Sequence, residues 1–154
     1  MIIFVTFDKK RTLLEEAYDE LKRLKINTGF ILPSVMPEVS REGKPRFINS
    51  DIGFSVTHTK GLCAVAFSKS EVGIDAEAHR KINFNRFKRI IEAESEKEFF
   101  DKWTKLEAYL KYTGEGLKDI SKKIPPEAPV KNLEIMSGYS FAVCGEGEIT
   151  IKIF

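Results

Sequence analysis

An α+β fold follows from three features of the sequence. Short apolar runs at Ile2 to Phe7, Phe54 to His58, Leu62 to Phe67 and Tyr139 to Cys144 read as strands. Two longer segments carry apolar residues at helical spacing: Leu13, Leu14, Ala17, Tyr18, Leu21 and Leu24, and later Phe99, Phe100, Trp103, Leu106 and Leu110. The order strand, helix, antiparallel strands occurs twice, ending near Ser70 and resuming at Glu71. These features predict one domain over residues 1–154 built of two pseudo-twofold-related α/β halves, 1–70 and 71–154. Each half is a helix packed on a small antiparallel sheet, and a cleft lies between them.

Composition bounds the function. A chain of 154 residues is one domain by the usual prior and long enough for a real core. With 25 basic and 23 acidic residues its net charge is +2, which gives no global footprint for nucleic acid or membrane, so anion binding must be local. Cys63 and Cys144 lie in apolar strand-like runs and form no C-x-x-C pair, the pattern of buried thiols in a reducing compartment. The first residues lack a basic n-region and reach a charge at Asp8, so they read as a strand and not a signal peptide. No run approaches the roughly 20 apolar residues of a membrane helix. The expected location is the cytoplasm.

In chain order, Thr12 is an N-cap with Glu15 completing a capping box, and Lys9-Lys10-Arg11 precedes it. Basic residues before a helix N-terminus suit a phosphate or form a solvated turn. Gly29 to Leu32 reads as a short strand. Arg41 to Phe47 is a polar loop in which Pro45 holds Lys44 extended, again an anion site or merely a soluble loop. In the next strand Phe54, Val56 and His58 share one face and Ser55 and Thr57 the other. Thr59-Lys60-Gly61 turns into the following strand as a hairpin.

Val72 to Glu77 is a strand whose alternation sets Asp75 and Glu77 side by side, with Val72, Ile74 and Ala76 on the opposite face. His79 continues the alternation, so D-x-E-x-H reads as a transition-metal set or as a histidine beyond a strand end facing solvent. Asn83 caps a helix carrying Phe84, Phe87, Ile90 and Ile91. Ser95-Glu96-Lys97-Glu98 is a capping box for the helix that follows. On that helix Glu107 and Lys111 stand four residues apart on one face, off the apolar stripe. They form an exposed pair or, if the face meets the Asp75 strand, join a site of three carboxylates and an ammonium. Hard oxygen ligands of this kind suit Mg2+ shared with substrate phosphate, and the chemistry is phosphoryl transfer. Gly114 and Gly116 end the helix. Lys118 to Pro129 is a polar loop, and strands at Leu133 to Met136, Tyr139 to Cys144 and Glu148 to Ile153 close the chain.

Four segments in order, Gly43-Lys44-Pro45-Arg46-Phe47, Phe54-Ser55-Val56-Thr57-His58, Val72-Gly73-Ile74-Asp75-Ala76-Glu77 and Trp103-Thr104-Lys105-Leu106-Glu107-Ala108-Tyr109-Leu110-Lys111, resemble the motifs of the 4'-phosphopantetheinyl transferases. The resemblance is to the two-halved, monomeric type, of which this chain looks like a compact member. Arg11-Thr12-Leu13 and Gly114-Glu115-Gly116-Leu117 extend it more loosely. Two positions depart from the pattern: Leu106 stands where the family carries lysine, and Thr57 where it carries a second serine. The resemblance implies transfer of the phosphopantetheine arm of coenzyme A to a serine of an apo acyl or peptidyl carrier protein, releasing 3',5'-ADP. It implies Asp75, Glu77 and Glu107 as Mg2+ ligands, and Asp75, Glu107 and Lys111 as catalytic residues. It implies Lys44, Pro45, Thr57, His58, Arg11 and Thr12 as coenzyme A contacts. The alternatives are a non-catalytic relative that binds coenzyme A or a carrier protein, and a metal-dependent phosphodiesterase.

Overall fold

Strand β1 (Ile2–Phe7) is apolar without alternation because both of its faces are covered. Ile2 and Phe4 pack on one side with Phe54, Cys63, Val65 and Phe67, and Ile3 and Val5 on the other with Leu62, Ala64 and Ala66. The computed structural model describes residues 1–7, 17, 19–20, 23, 38–39, 45–47, 50–115 and 123–153. Over these residues the fold is α+β. The helical segment expected from Leu13, the strand at 29–32, and the site residues Arg11, Thr12 and Lys44 lie outside the described residues, apart from helical positions at 17, 19, 20 and 23.

The short strands β2 (Glu38–Val39) and β3 (Pro45–Arg46) pair with each other, which places Pro45 on a strand. β4 (Gly53–Thr59) and β5 (Leu62–Ser68) form the expected hairpin through Lys60 and Gly61, where Gly61 takes a positive φ of 70°. β5 also pairs antiparallel with β1. The second sheet contains β6 (Gly73–Ala78), β7 (Val130–Leu133) and β8 (Tyr139–Cys144) in the order β6-β8-β7, all antiparallel. β9 (Thr150–Ile153) returns to the first sheet and pairs in parallel with β1, giving the order β4-β5-β1-β9.

The two larger sheets pack face to face. Ile3, Val5, Leu62, Ala64 and Ala66 meet Val72, Ile74, Ala76, Phe141 and Val143 in one apolar layer. The far side of the second sheet carries helix α1 (Glu96–Thr113), with Ala108 and Tyr109 against Ala142 and Cys144. Ser95 caps α1 by accepting from the Glu98 N–H at 3.2 Å, as expected of a capping box, but the Glu98 carboxylate reaches one residue further back, to the Glu94 N–H at 2.8 Å. Gly114 closes the helix in the left-handed region at φ 80°, its N–H donating to Leu110 C=O.

Two elements differ from the sequence reading. The helix expected after Asn83 is a single 3-10 turn over Phe84–Phe87, and Asn83 makes no side-chain cap. No acid occupies its first turn, and Arg86 and Arg89, three residues apart, would repel one another on a longer helix, so little favours one. The strand expected at Leu133 to Met136 is Val130–Leu133, because the register that pairs it with β8 begins at Val130 opposite Cys144. No helix among the described residues is long and apolar enough to cross a membrane.

Candidate functional site

β6 is an edge strand of its sheet, and its outward N–H groups need partners. The inward hydroxyls of β4 supply them. Ile74 N–H donates to Ser55 Oγ at 3.1 Å, Ala76 N–H to Thr57 Oγ1 at 3.3 Å and Ala78 N–H to Thr59 Oγ1 at 3.1 Å. Two of these hydroxyls then donate onward to the acids. Thr57 Oγ1 donates to Asp75 Oδ1 at 2.9 Å, and Thr59 Oγ1 to Glu77 Oε2 at 3.3 Å. Ser55, Thr57 and Thr59 thus fix the backbone of β6, and Thr57 and Thr59 also orient a carboxylate on it.

Helix α1 approaches the same strand very closely. A Cβ at Gly73 would fall 2.0 Å from Ala108 C=O and 2.6 Å from Tyr112 N, so only glycine admits the helix at this depth. Lys111 therefore reaches over β6, its Nζ donating to Ile74 C=O at 3.0 Å and to Asp75 Oδ1 at 2.7 Å. Of the two readings of Lys111, a surface pair with Glu107 or a place beside Asp75, its ion pair with Asp75 corresponds to the second. Asp75 is 3% exposed, and its second oxygen, Oδ2, is buried without a hydrogen-bond partner.

Charge crowding follows. Burial raises the Asp75 carboxyl above its ordinary range, while Lys111 and Thr57 pull it down. Glu107 is pushed up to about 7 by burial first and by the Asp75 charge second, with Lys111 opposing and Glu77 adding to the rise. Between the ordinary value of 4.5 and about 7 the folded protein therefore holds a proton that the unfolded chain has lost, so stability falls as pH rises through that window. The lowered acids Glu20, Glu98 and Asp101 act in the opposite sense, but their contribution is complete below it. Denaturation of the metal-free protein from pH 5 to 8 is expected to show this decline, and Glu107→Gln to flatten it; a flat wild-type profile would mean that the acids do not crowd one another.

The structure brings Thr57, Asp75, Glu107 and Lys111 together. Glu77 lies along the same row but is engaged, with Arg80 Nη1 donating to its Oε2 at 2.7 Å. Among the described residues, no group of three or more His, Cys, Asp and Glu side chains is arranged to hold a metal ion as the side chains lie. Thr57 is 5% exposed and its hydroxyl is committed to Asp75 and Ala76, whereas His58 points to the opposite face of β4 and is exposed. His79 does not continue the acid row. Past the end of β6 its N–H donates to Gly138 C=O, its Nε2 lies 2.8 Å from Ser140 Oγ, and its ring stacks on Phe100 at 5.6 Å. Leu106 is buried with Ile91, Phe99, Phe100 and Leu110, so this helical position contributes to packing and not to charge.

The sequence reading passed over Ser55, Thr59 and Arg80. Hydroxyls at alternate positions 55, 57 and 59 were the available signal, since they share one strand face.

No family model matches the chain. It is similar to the 4'-phosphopantetheinyl transferase HetI of Nostoc sp. (strain PCC 7120 / SAG 25.82 / UTEX 2576), with 31% identity over 112 residues, covering 58% of this chain and 47% of that protein. The chain spans about half the length of this curated relative.

Proposed function

We propose that the protein transfers the 4'-phosphopantetheine arm of coenzyme A to a serine hydroxyl of an apo acyl or peptidyl carrier protein. The bond from serine Oγ to phosphorus forms, the pyrophosphate bond breaks, and 3',5'-ADP leaves. The observation that carries this reading is a buried, unpartnered Asp75 oxygen in a site shared with Glu107 and with Lys111, which already neutralises the other Asp75 oxygen. Similarity to a named transferase supports it.

Glu107, or a water held by it, is assigned to receive the serine proton. Lys111 is placed to meet charge developing on the leaving diphosphate. Thr57 acts as a positioning residue for Asp75. The donor set suits a hard divalent ion such as Mg2+, with the free Asp75 oxygen and Glu107 as its holders and Glu77 next in the row. When bound, such an ion supplies neutralisation of phosphate charge. Lys44, Pro45 and His58 are assigned to the coenzyme A phosphates or adenine, and Arg11 and Thr12 to the 3'-phosphate. The reading carries with it a cytoplasmic, monomeric enzyme of two pseudo-twofold-related halves.

Incubation with coenzyme A, Mg2+ and an apo acyl carrier protein is expected to add the arm to the carrier, read by intact mass. Lys111→Ala is expected to lower kcat by about 10^2-fold. Coenzyme A binding with no mass shift on several carriers would replace this reading by a binding module. Release of 3',5'-ADP without carrier modification would replace it by a phosphodiesterase.

A further inference from the structure

Asp75 and Glu77 share one face of β6, and Glu107 and Lys111 come to the same strand from α1, but no trio of acids among the described residues is arranged to hold a metal ion. Glu77 is engaged elsewhere. Its Oε2 accepts from Arg80 Nη1 at 2.7 Å and from Thr59 Oγ1 at 3.3 Å. The same Nη1 donates to Ala78 C=O at 3.1 Å, and the guanidinium carbon lies 5.1 Å from the centre of the Phe100 ring. Phe100 is 1% exposed, so that ring is a fixed surface. Arg80 is thus set by Ala78 and Phe100 independently of Glu77, and it anchors the Glu77 carboxylate at the end of β6.

The two ion pairs on this strand differ in kind. The side chains of Lys111 and Asp75 are 31% and 4% exposed, those of Arg80 and Glu77 56% and 22%. Breaking the first strands a buried charge, whereas partly solvated pairs such as the second contribute little to a fold. The Arg80–Glu77 pair can therefore be exchanged for another cation without loss of the surrounding structure. The Lys111–Asp75 pair cannot.

We propose that Arg80 is a built-in competitor of the divalent ion: its guanidinium holds Glu77 off the site of Asp75 and Glu107, and the ion gains a third carboxylate only by displacing it. The proposal rests on the assignment of those acids to a divalent ion above, and adds to it a positioning residue that sets the affinity for the bare ion. The competition is direct, because guanidinium and metal ion call on the same carboxylate lone pairs. Arginine suits this part better than lysine. Its planar group lies on an aromatic ring while its N–H groups reach Ala78 C=O and Glu77, whereas an ammonium is a strongly hydrated point charge.

The test measures Mn2+ binding to the whole chain without substrate, from loss of the electron paramagnetic resonance signal of the free ion. Mn2+ shares the preference of Mg2+ for carboxylate oxygen. Arg80→Gln is expected to tighten Mn2+ binding at least about tenfold, the scale of one more carboxylate brought close to the ion. In a Glu77→Gln background the same change should shift Kd by less than about threefold, since no carboxylate is released. Lys81→Gln, which removes an equal charge from the exposed neighbouring residue, should stay within about twofold of the wild type. Arg80→Lys should fall between the wild type and Arg80→Gln. The melting temperature of Arg80→Gln should stay within about 2 °C of the wild type, as suits a pair of little weight in the fold.

An Mn2+ affinity unchanged in Arg80→Gln overturns the competition and leaves Arg80 a structural contact of Phe100. An equal gain in the Glu77→Gln background, or from Lys81→Gln, overturns it in favour of a general charge effect. Absence of Mn2+ binding in both the wild type and Arg80→Gln overturns it as well. Transfer of the arm to an apo acyl carrier protein, assayed on the same preparations at saturating Mn2+, separates the two readings. Transfer by the wild type with no gain in Arg80→Gln keeps the transfer reading and removes the competition. A gain in Arg80→Gln without transfer by the wild type keeps the competition and removes the transfer reading.

Discussion

Asp75→Asn is expected to abolish transfer, by at least about 10^3-fold in kcat, while the melting temperature stays level or rises. The amide keeps an oxygen that accepts from Thr57 and from Lys111, so the hydrogen bonds seen at Oδ1 have a successor. What disappears is the negative charge beside Glu107 and the free oxygen at Oδ2. Burial holds the native Asp75 above its ordinary range despite two favourable partners, so the folded state carries the ionised carboxylate at a cost. Strained charges of this kind mark sites kept for chemistry. A variant with near-full activity would show the acid site to be misassigned. A fall in melting temperature of more than about 5 °C would show instead that the Lys111 ion pair stabilises the fold on balance.

The second large effect is expected at a residue with no side chain. Gly73→Ala sets a methyl carbon 2.0 Å from Ala108 C=O, against the backbone of a helix that cannot swing aside like a flexible side chain. The helix must lift, and Tyr109 and Ala108 then lose their seat on Ala142 and Cys144. A cost of about 3 kcal/mol is expected, at the upper end of overpacking. That corresponds to a drop of roughly 6 to 12 °C in melting temperature for a domain of this size. Activity should fall further than stability, because the lift carries Lys111 and Glu107 away from Asp75. Gly73→Ala with a wild-type melting curve would mean that the helix rides higher on the sheet than described.

Those two residues illustrate what was legible beforehand. Alternation along β6 placed Asp75 and Glu77 on one face, and helical spacing placed Glu107 and Lys111 on another, since both follow from local periodicity. Their meeting was conditional on how helix and sheet pack, which no period of 2 or 3.6 encodes. The same gap explains β9. A run such as Thr150-Ile151-Lys152-Ile153 announces a strand but not its partner, and pairing with β1 spans almost the whole chain. Thr57 was read through the resemblance as a ligand contact. Its buried hydroxyl, donated to Asp75, is a tertiary fact. The failed helix after Asn83 is the reverse case, in which apolar spacing was present but capping and charge opposed it.

The hydroxyls of Ser55, Thr57 and Thr59 have one more consequence. A bare row of amides along β6 would be a template for a strand from another molecule, the usual route from native sheet to aggregate. With those amides occupied from β4, the acid-bearing strand doubles as a sealed border. Aliphatic replacements there would forfeit solubility together with chemistry.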